Sequence, residues 1–439
     1  MQQNENEQAQ DYSSGWSPYP RPSTPASGAG WGVAQVVLTA VLVAVAFGAG
    51  WFGNTYANRA NVASGDARLV LQAWNDIDQY YVVTNSIDHK KMAYAAIKSM
   101  VDSLGDTGHS RFETPEQLKA EENQLRNAPT VGIGVYLSGG GKDPIRIDAI
   151  IPNSPASKSA LKPGDWIVGV DGQDVTGKTI DQVRPLITGT AGTAVKLTIV
   201  RPSQSKTATF DVTIVRGTFT AQTVVSYIIP DLNIADIQIL QFASDADSQL
   251  EQKLRDAQAH HVRGIILDLR DDPGGYLDQA VAVASEFVPA GKTVLIEQSR
   301  TGRQVIQSQD HGLAVSTPLV ILVNNGTASA AEIVAGSIPA DRPGVHVVGE
   351  KTFGTGTVLQ EFVLADGSAL WLGTEEWLLP NGKSIYHVGY MPDQPVTLPA
   401  TAAPVSPLIA DQAHLSGAQV LASGDAQIVQ AIHDLQGQG

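Results

Sequence analysis

The sequence contains no cysteine. That excludes disulfides, thiolate nucleophiles and Cys-ligated zinc or iron–sulfur centres together. Its 9 histidines never fall in an HExxH or comparable spacing, so neither a metal nor a cofactor is predicted. Positive charge is scarce as well: 29 Lys and Arg stand against 44 Asp and Glu, a formal net charge of -15. A surface dominated by carboxylates repels phosphate, which argues against a nucleic-acid partner. Charged residues make up only 17% of the chain and hydrophobic residues 43%, the balance of a globular protein rather than a fibre. The 439 residues leave room for two or three domains, and no repeat of solenoid period is present.

Long apolar runs are absent but for one. Residues 1–30 are polar, rich in Gln, Ser, Pro and Gly, and expected to be disordered. From Trp31 to about Phe52 only Gln35 and Thr39 are clearly polar, and Trp31 and Trp51 mark the two ends. A run of that length spans a bilayer as a helix, and indole rings favour the headgroup zone, so 31–53 is read as a transmembrane helix. A cleaved signal peptide is the rival. Ala46, Gly48 and Gly50 could mimic its cleavage site, but the long polar leader and missing basic n-region oppose it. Arg21 before the span and Arg59 after it barely encode an orientation.

Beyond the span, Leu69, Val70, Leu71, Trp74, Ile77 and Tyr80 recur at helical spacing, and a second helix is expected from about Asp88 to Leu104, capped by Gly105. These belong to a helical segment, 66–128. From 129 to 217 the pattern turns to short strands: one led by Val131–Val135, then Ile145–Ile151, Trp166–Val170 closed by an Asp171-Gly172 turn, and Val195–Val200, with one helix at Thr179–Ile187. From 218 to 400 strands alternate with helices (Ile234–Ile239, Ala243–Ala259, Gly264–Leu269, Leu277–Phe287, Leu319–Val323), which implies a layered α/β core with its chemistry at strand ends. Residues 401–439 read as a tail with a short helix.

Three patterns carry chemistry. SPA-x-K-x-x-LKPGD, at Ser154–Asp165, marks a PDZ-like module, in which a peptide end adds as a strand and its carboxylate meets backbone N–H groups of a Gly-containing loop. Gly132, Ile133 and Gly134 resemble that loop. Asp268 to Gly275 (DLRDDPGG) ends an apolar strand, where consecutive glycines let N–H groups face a cleft beside a helix N-terminus. Asn324 to Gly336 (NNGTASAAEIVAG) does the same after the next apolar strand. A Ser at such a corner projects its hydroxyl, and Ala330 N–H, with Gly274 and Gly275, could meet an oxyanion. Taken alone, a tight turn and an N-cap explain these two segments as well.

Together the segments resemble the C-terminal processing peptidases, from about Asp66 to the end. GIILDLRDDPGG resembles IxLDLRxNPGG, and NNGTASAAEIVAG resembles NxGSASASEIxAG, whose middle Ser is the nucleophile, here Ser329. Gly349–Val358 resembles GExTFGKGxVQ, Gly373–Ile385 with Gly389–Asp393 the closing TPxGRxI…GxxPD, and Leu104–Ser110 the family's leading segment. The resemblance implies a crotonase-like ββα spiral peptidase core with an inserted β-rich PDZ domain. It also implies a serine endopeptidase acting near the C-termini of unfolded or tagged proteins captured by its PDZ domain, and, with 31–53 as the single pass through the cell membrane, a catalytic part that is extracytoplasmic. Homo-oligomerisation is left open. One departure stands out: the family's base Lys in FGKG is Thr355 here, and a Thr cannot take a proton from Ser near neutral pH. Lys351 or His109 could substitute, the latter as in tricorn-type peptidases. Otherwise the domain is a pseudopeptidase, a tail-binding scaffold. Asp341 and Gln360 match supporting positions of the family, Gln360 one residue late.

Overall fold

The computed structural model describes residues 65–106, 109–202, 207–310, 312–399, 402 and 404–437. The polar leader (1–30) and the apolar run (31–53) lie outside the described residues. Among the described residues no helix is long and apolar enough to cross a membrane. The chain divides into two compact units, up to His89 and from Lys90 on.

In the first unit the helical spacing gives α1 (Ala67–Tyr80), none of whose residues is buried. His89 reaches back to it, with Nε2 at 2.6 Å from Asp78 Oδ1 and its ring 5.8 Å from that of Trp74. The second unit takes up the chain in α2 (His89–Asp102), after which Gly105 takes the positive φ of 71° that a C-cap glycine supplies without Cβ strain. A three-residue strand, β1 (Arg111–Glu113), leads to α3 (Pro115–Leu125). The start of α3 is set by Thr114 and Gln117, each side chain accepting the other's backbone N–H.

Next comes β2 (Thr130–Gly132), then a module with its own core: β3 (Val135–Gly140), β4 (Asp143–Ile150), β5 (Trp166–Val170), β6 (Gln173–Asp174), α4 (Ile180–Ile187), β7 (Ala194–Arg201) and β8 (Ala208–Val215). The run expected to lead one strand from 131 to 135 is broken at Gly134, whose φ of 82° no extended strand accommodates. Sheet order is β3-β4-β5-β7-β8 with β6 on β5, so β3 is an edge strand beside α4. Alternating residues such as Ile147, Ile167, Leu197 and Ile199 fill the interior with Val183 and Ile187 of α4. Burying each such side chain is worth about 1.5–3 kcal/mol. The chain leaves through β9 (Gly217–Phe219), which pairs antiparallel with β2, so the inbound and outbound strands zip together. Insertion of the module thus leaves the host chain nearly continuous.

The host core holds β10 (Val224–Ile229), β11 (Ile234–Ile239), α5 (Ala246–Ala259), β12 (Gly264–Asp268), α6 (Leu277–Ser285), β13 (Thr293–Ser299), β14 (Gly302–Gln307), β15 (Leu319–Val323), α7 (Ala330–Asp341), β16 (His346–Gly349), β17 (Thr357–Val363), β18 (Ala369–Leu378) and β19 (Gln394–Pro395). One sheet runs β10-β11-β12-β15-β16-β19, parallel from β11 onward. Its strands β12 and β15 are buried at every position, as their unbroken apolar runs require. A second sheet gathers β1, β18, β13 and β14, with β17 on β18. The tail forms three helices rather than the single one expected: α8 (Pro407–Ala413), α9 (Gly417–Leu421) and α10 (Ala426–Gly437). Arg270, fully buried, ties this tail to the β12 end by binding Asp268 and Asp425 at 2.7 and 2.8 Å. Gln412 of α8 clasps the inserted module, accepting Ile150 N–H at 3.0 Å and donating to Ile150 C=O at 2.6 Å.

Candidate active site

β12 and β15 are neighbours, with Asp268 opposite Leu322. Their C-terminal ends therefore deliver two loops some fifty residues apart in sequence to one place. The loops are laced together. Thr327 Oγ1 donates to Leu269 C=O at 2.8 Å, Ala328 N–H to Asp272 C=O at 2.9 Å, and Asn324 Nδ2 to Asp271 Oδ1 at 2.8 Å.

Ser329 sits at the corner between β15 and α7 with φ 53° and ψ -119°, a conformation unusual for a residue with a Cβ and costing roughly 1–3 kcal/mol. Neighbours hold it there. Its N–H donates to Glu332 Oε2 at 3.0 Å and Thr355 Oγ1 at 3.1 Å, and its C=O accepts from Glu332 and Ile333. Glu332 is fully buried and also receives Thr352 Oγ1 and the N–H groups of Gly354 and Thr355. It thereby joins the 352–355 loop to the nucleophile corner. Burial pushes its carboxyl up, and these hydrogen bonds oppose that.

Gly274 lies against Ser329: a Cβ there would meet Ser329 Cβ at 2.7 Å and Ala330 N at 2.9 Å. The glycine is required by this approach. Its N–H, expected to face an oxyanion, is committed instead to Asp272 Oδ1 at 2.8 Å, because the Asp side chain folds back over its own turn. Gly275 differs. Gly274 C=O accepts from Phe242 N–H at 3.0 Å, and in a planar trans peptide the Gly275 N–H points the opposite way. Gly275 and Ala330 both line the cleft. Neither N–H is engaged by another described residue, and the Ala330 N–H opens a helix, where partial positive charge accumulates.

The cleft has a volume of about 710 Å³, and His109, Ser329, Gly275, Thr355 and Trp371 are among its walls. β1 pairs with β18, Arg111 opposite Trp371, which carries His109 into it. The His109 side chain is 1% exposed, with Nδ1 at 3.5 Å from Thr357 Oγ1 and 3.9 Å from Asp106 Oδ1. Phe353 stacks on the ring at 5.6 Å and Tyr386 meets it edge-on at 5.5 Å. Burial lowers its pKa, Asp106 pulling the other way, so the imidazole is neutral near pH 7. Asp106 itself accepts from Tyr386 Oη at 2.7 Å and Ser110 Oγ at 2.5 Å. Burial raises its pKa, and these bonds more than reverse the effect.

Lys351 is exposed and is not among the cleft residues. Thr355 is buried, its hydroxyl oxygen occupied by the Ser329 N–H. Two expected supporting residues fall elsewhere. Asp341 ends the helix that Ser329 begins, roughly 17 Å along its axis at 1.5 Å per residue, and faces Lys292 at 3.5 Å. Gln360 lies exposed in β17, opposite Leu372, away from the cleft wall that Thr357 and Leu359 form. In the inserted module, Gly132 belongs to the β2–β9 ladder opposite Gly217. The Ile133 C=O accepts Ala156 N–H at 2.7 Å, and Gly134 C=O accepts Ile151 N–H at 3.1 Å. Glu332, Asp106 and Tyr386 were not singled out from the sequence. Only Glu332 had a local signal, the S-x-x-E spacing from Ser329.

The model for peptidase family S41 matches residues 233–396, and a PDZ domain model matches 146–201. The chain is 33% identical over 387 residues to the carboxy-terminal processing protease CtpA of Bacillus subtilis, covering 87% of this chain and 80% of that one. It is 35% identical over 343 residues to a "Probable CtpA-like serine protease" of Staphylococcus haemolyticus, covering 76% and 67%. A solved structure of a "Putative S41 protease" from Bacteroides fragilis aligns with a TM-score of 0.56 over 83% of this chain and 97% of that one; at 18% identity this is a likeness of fold alone. The chain belongs to peptidase family S41, as a serine-type peptidase of the carboxy-terminal processing group with a PDZ domain.

Proposed function

We propose that this peptidase is an endopeptidase tethered to the membrane by residues 31–53, acting outside the cytoplasm on unstructured proteins near their C-termini. Ser329 Oγ attacks the scissile carbonyl, and the N–H groups of Ala330 and Gly275 receive the oxyanion. His109 takes the Ser proton and returns it to the leaving amine, and Asp106 steadies the imidazolium between. The PDZ module captures a free C-terminal carboxylate at the Ile133–Gly134 loop, the peptide adding as a strand along β3 beside α4.

The observation that carries this reading is that a buried His109 shares the cleft of Ser329 while Lys351 is exposed outside it. Fluorophosphonate labelling of the full chain tests it. Labelling should vanish in Ser329→Ala, fall sharply in His109→Ala and persist in Lys351→Ala. Tail peptides with a free C-terminus should be cut in preference to amidated ones. Absent labelling with retained tail binding would instead establish a tail-binding scaffold, the alternative that Thr355 at the family's lysine position favours. Detergent-dependent extraction of the full chain, lost on deleting residues 1–53, tests the anchor.

A further inference from the structure

Among buried titratable groups, Asp272 lies in the glycine loop that packs against Ser329. Its side chain is fully buried. Oδ1 accepts the Gly274 N–H at 2.8 Å, the backbone C=O accepts the Ala328 N–H at 2.9 Å, and Oδ2 has no hydrogen-bond partner among the described residues. One residue therefore braces both loops that form the cleft wall, and it does so with a carboxyl that lacks a second donor.

We propose that Asp272 is a positioning residue of the oxyanion hole that works as a neutral carboxylic acid, its ionisation setting a negative charge behind the hole and switching the enzyme off at alkaline pH. Resting on the Ser329 reading, this adds what orients the Gly275 amide. Oδ1 fixes Gly274, and Gly274 C=O bonds to Phe242 N–H, so the Gly275 N–H has one direction left.

The surroundings oppose a charge on Asp272. Burial raises its pKa well above the ordinary Asp value, Asp268 adds a like charge and the Gly274 N–H only partly compensates. Arg270 is no counter-ion, being bound to Asp268 and Asp425. Neighbouring Asp271 turns to Asn324. On the α7 side Glu332 is held by its own donors, and beyond Phe242 Asp245 is bonded to Asn127 and Gln249. No described cation answers Asp272. An oxyanion developing on the other face of the same loop would meet an ionised Asp272 as a repelling charge in a dry site.

The pH dependence of kcat/KM on a tail peptide tests this, with wild type beside Asp272→Ala and Asp272→Asn. The wild-type rate should fall on the alkaline side. Asp272→Ala should lower kcat at least tenfold below the alkaline limb with KM little changed, because the Gly274 N–H loses its acceptor, and should show no Asp272-dependent fall above it. Asp272→Asn keeps an acceptor and cannot ionise, so it should recover most of that loss and move the alkaline limb upward. An unmoved limb in Asp272→Asn, or a loss as deep as that of Ala, overturns the proposal. Stability gives a readout independent of catalysis. An Asp whose folded pKa is raised destabilises the fold as pH climbs past the unfolded value, so Asp272→Asn should gain Tm over wild type from about pH 4 upward. A Tm difference that is flat with pH overturns the neutral-acid assignment even if Ser329 proves inert, whereas loss of labelling with a rising Tm difference faults only the Ser329 reading.

Discussion

The two walls of the cleft are built on different principles. The nucleophile wall comes from the ends of adjacent parallel strands, β12 and β15, buried throughout and cross-bonded loop to loop. The opposite wall is assembled from distant pieces: His109 before β1 and Thr355 and Thr357 around the start of β17, with Asp106 and, after β18, Tyr386 packed against His109. On the first wall a buried sheet fixes backbone amides; on the second, side chains meet only because β1 adds to β18. A change of base can be accommodated on the second wall without disturbing the first.

Removing the key atom from each wall gives the largest effects. Ser329→Ala should cost about 10⁴–10⁶ in kcat, the scale seen when a nucleophile is deleted, with little change in thermal stability, since Ala meets the same positive φ. On the other wall, His109→Ala should cost about 10²–10⁴, the general-base contribution, while Lys351→Ala stays within about twofold. Because burial depresses the His109 pKa from 6.5, the acid limb of kcat/KM should lie below pH 6.5, and it should be lost with the imidazole. A limb well above that value, or a large loss in Lys351→Ala, would return the base role to a lysine and break the comparison.

The contrast also explains what could be read from sequence. β12 and β15 are marked by apolar runs, and the Asp171-Gly172 turn by two residues that both adopt positive φ. The glycine pair and Ser329 were legible because each motif sits at the end of such a strand. Which glycine amide stays free was not, since it depends on the Asp272 side chain turning back onto Gly274. Asp341 and Gln360 went astray for a similar reason: helix length and strand direction, rather than motif spacing, decide whether a matching residue reaches the cleft. Asp106 is a near neighbour of His109, but Thr357 and Tyr386 reach it from more than two hundred residues away, and no local pattern announces them.

Glu332 joins the walls, and its replacement should have an intermediate effect. Four donors converge on its carboxylate. In Glu332→Gln one oxygen becomes an NH₂ group facing donors, leaving a buried donor unmatched at about 1–3 kcal/mol. The unfolding free energy from denaturant titration should fall by that amount and kcat by about tenfold, with KM nearly unchanged. A drop in KM affinity with kcat intact would mean the loop serves binding rather than alignment of Ser329.

The smallest effect is expected far from both walls. Gln412 joins α8 to Ile150 by two hydrogen bonds, backed by a small cluster of Ala149, Val225 and Leu408. At about 0.5–1.5 kcal/mol each, losing both in Gln412→Ala should loosen the inserted module by about 1–3 kcal/mol. Hydrogen exchange would read this locally: the Ile150 amide should lose protection, while amides of β12 and β15 keep theirs. Cleavage of a short peptide without a tail should stay within about twofold, because no cleft residue is touched. Exchange accelerated in β12 and β15 as well would mean that the module and the nucleophile wall unfold together, and the separation between a rigid sheet-built wall and its accessory parts would no longer hold.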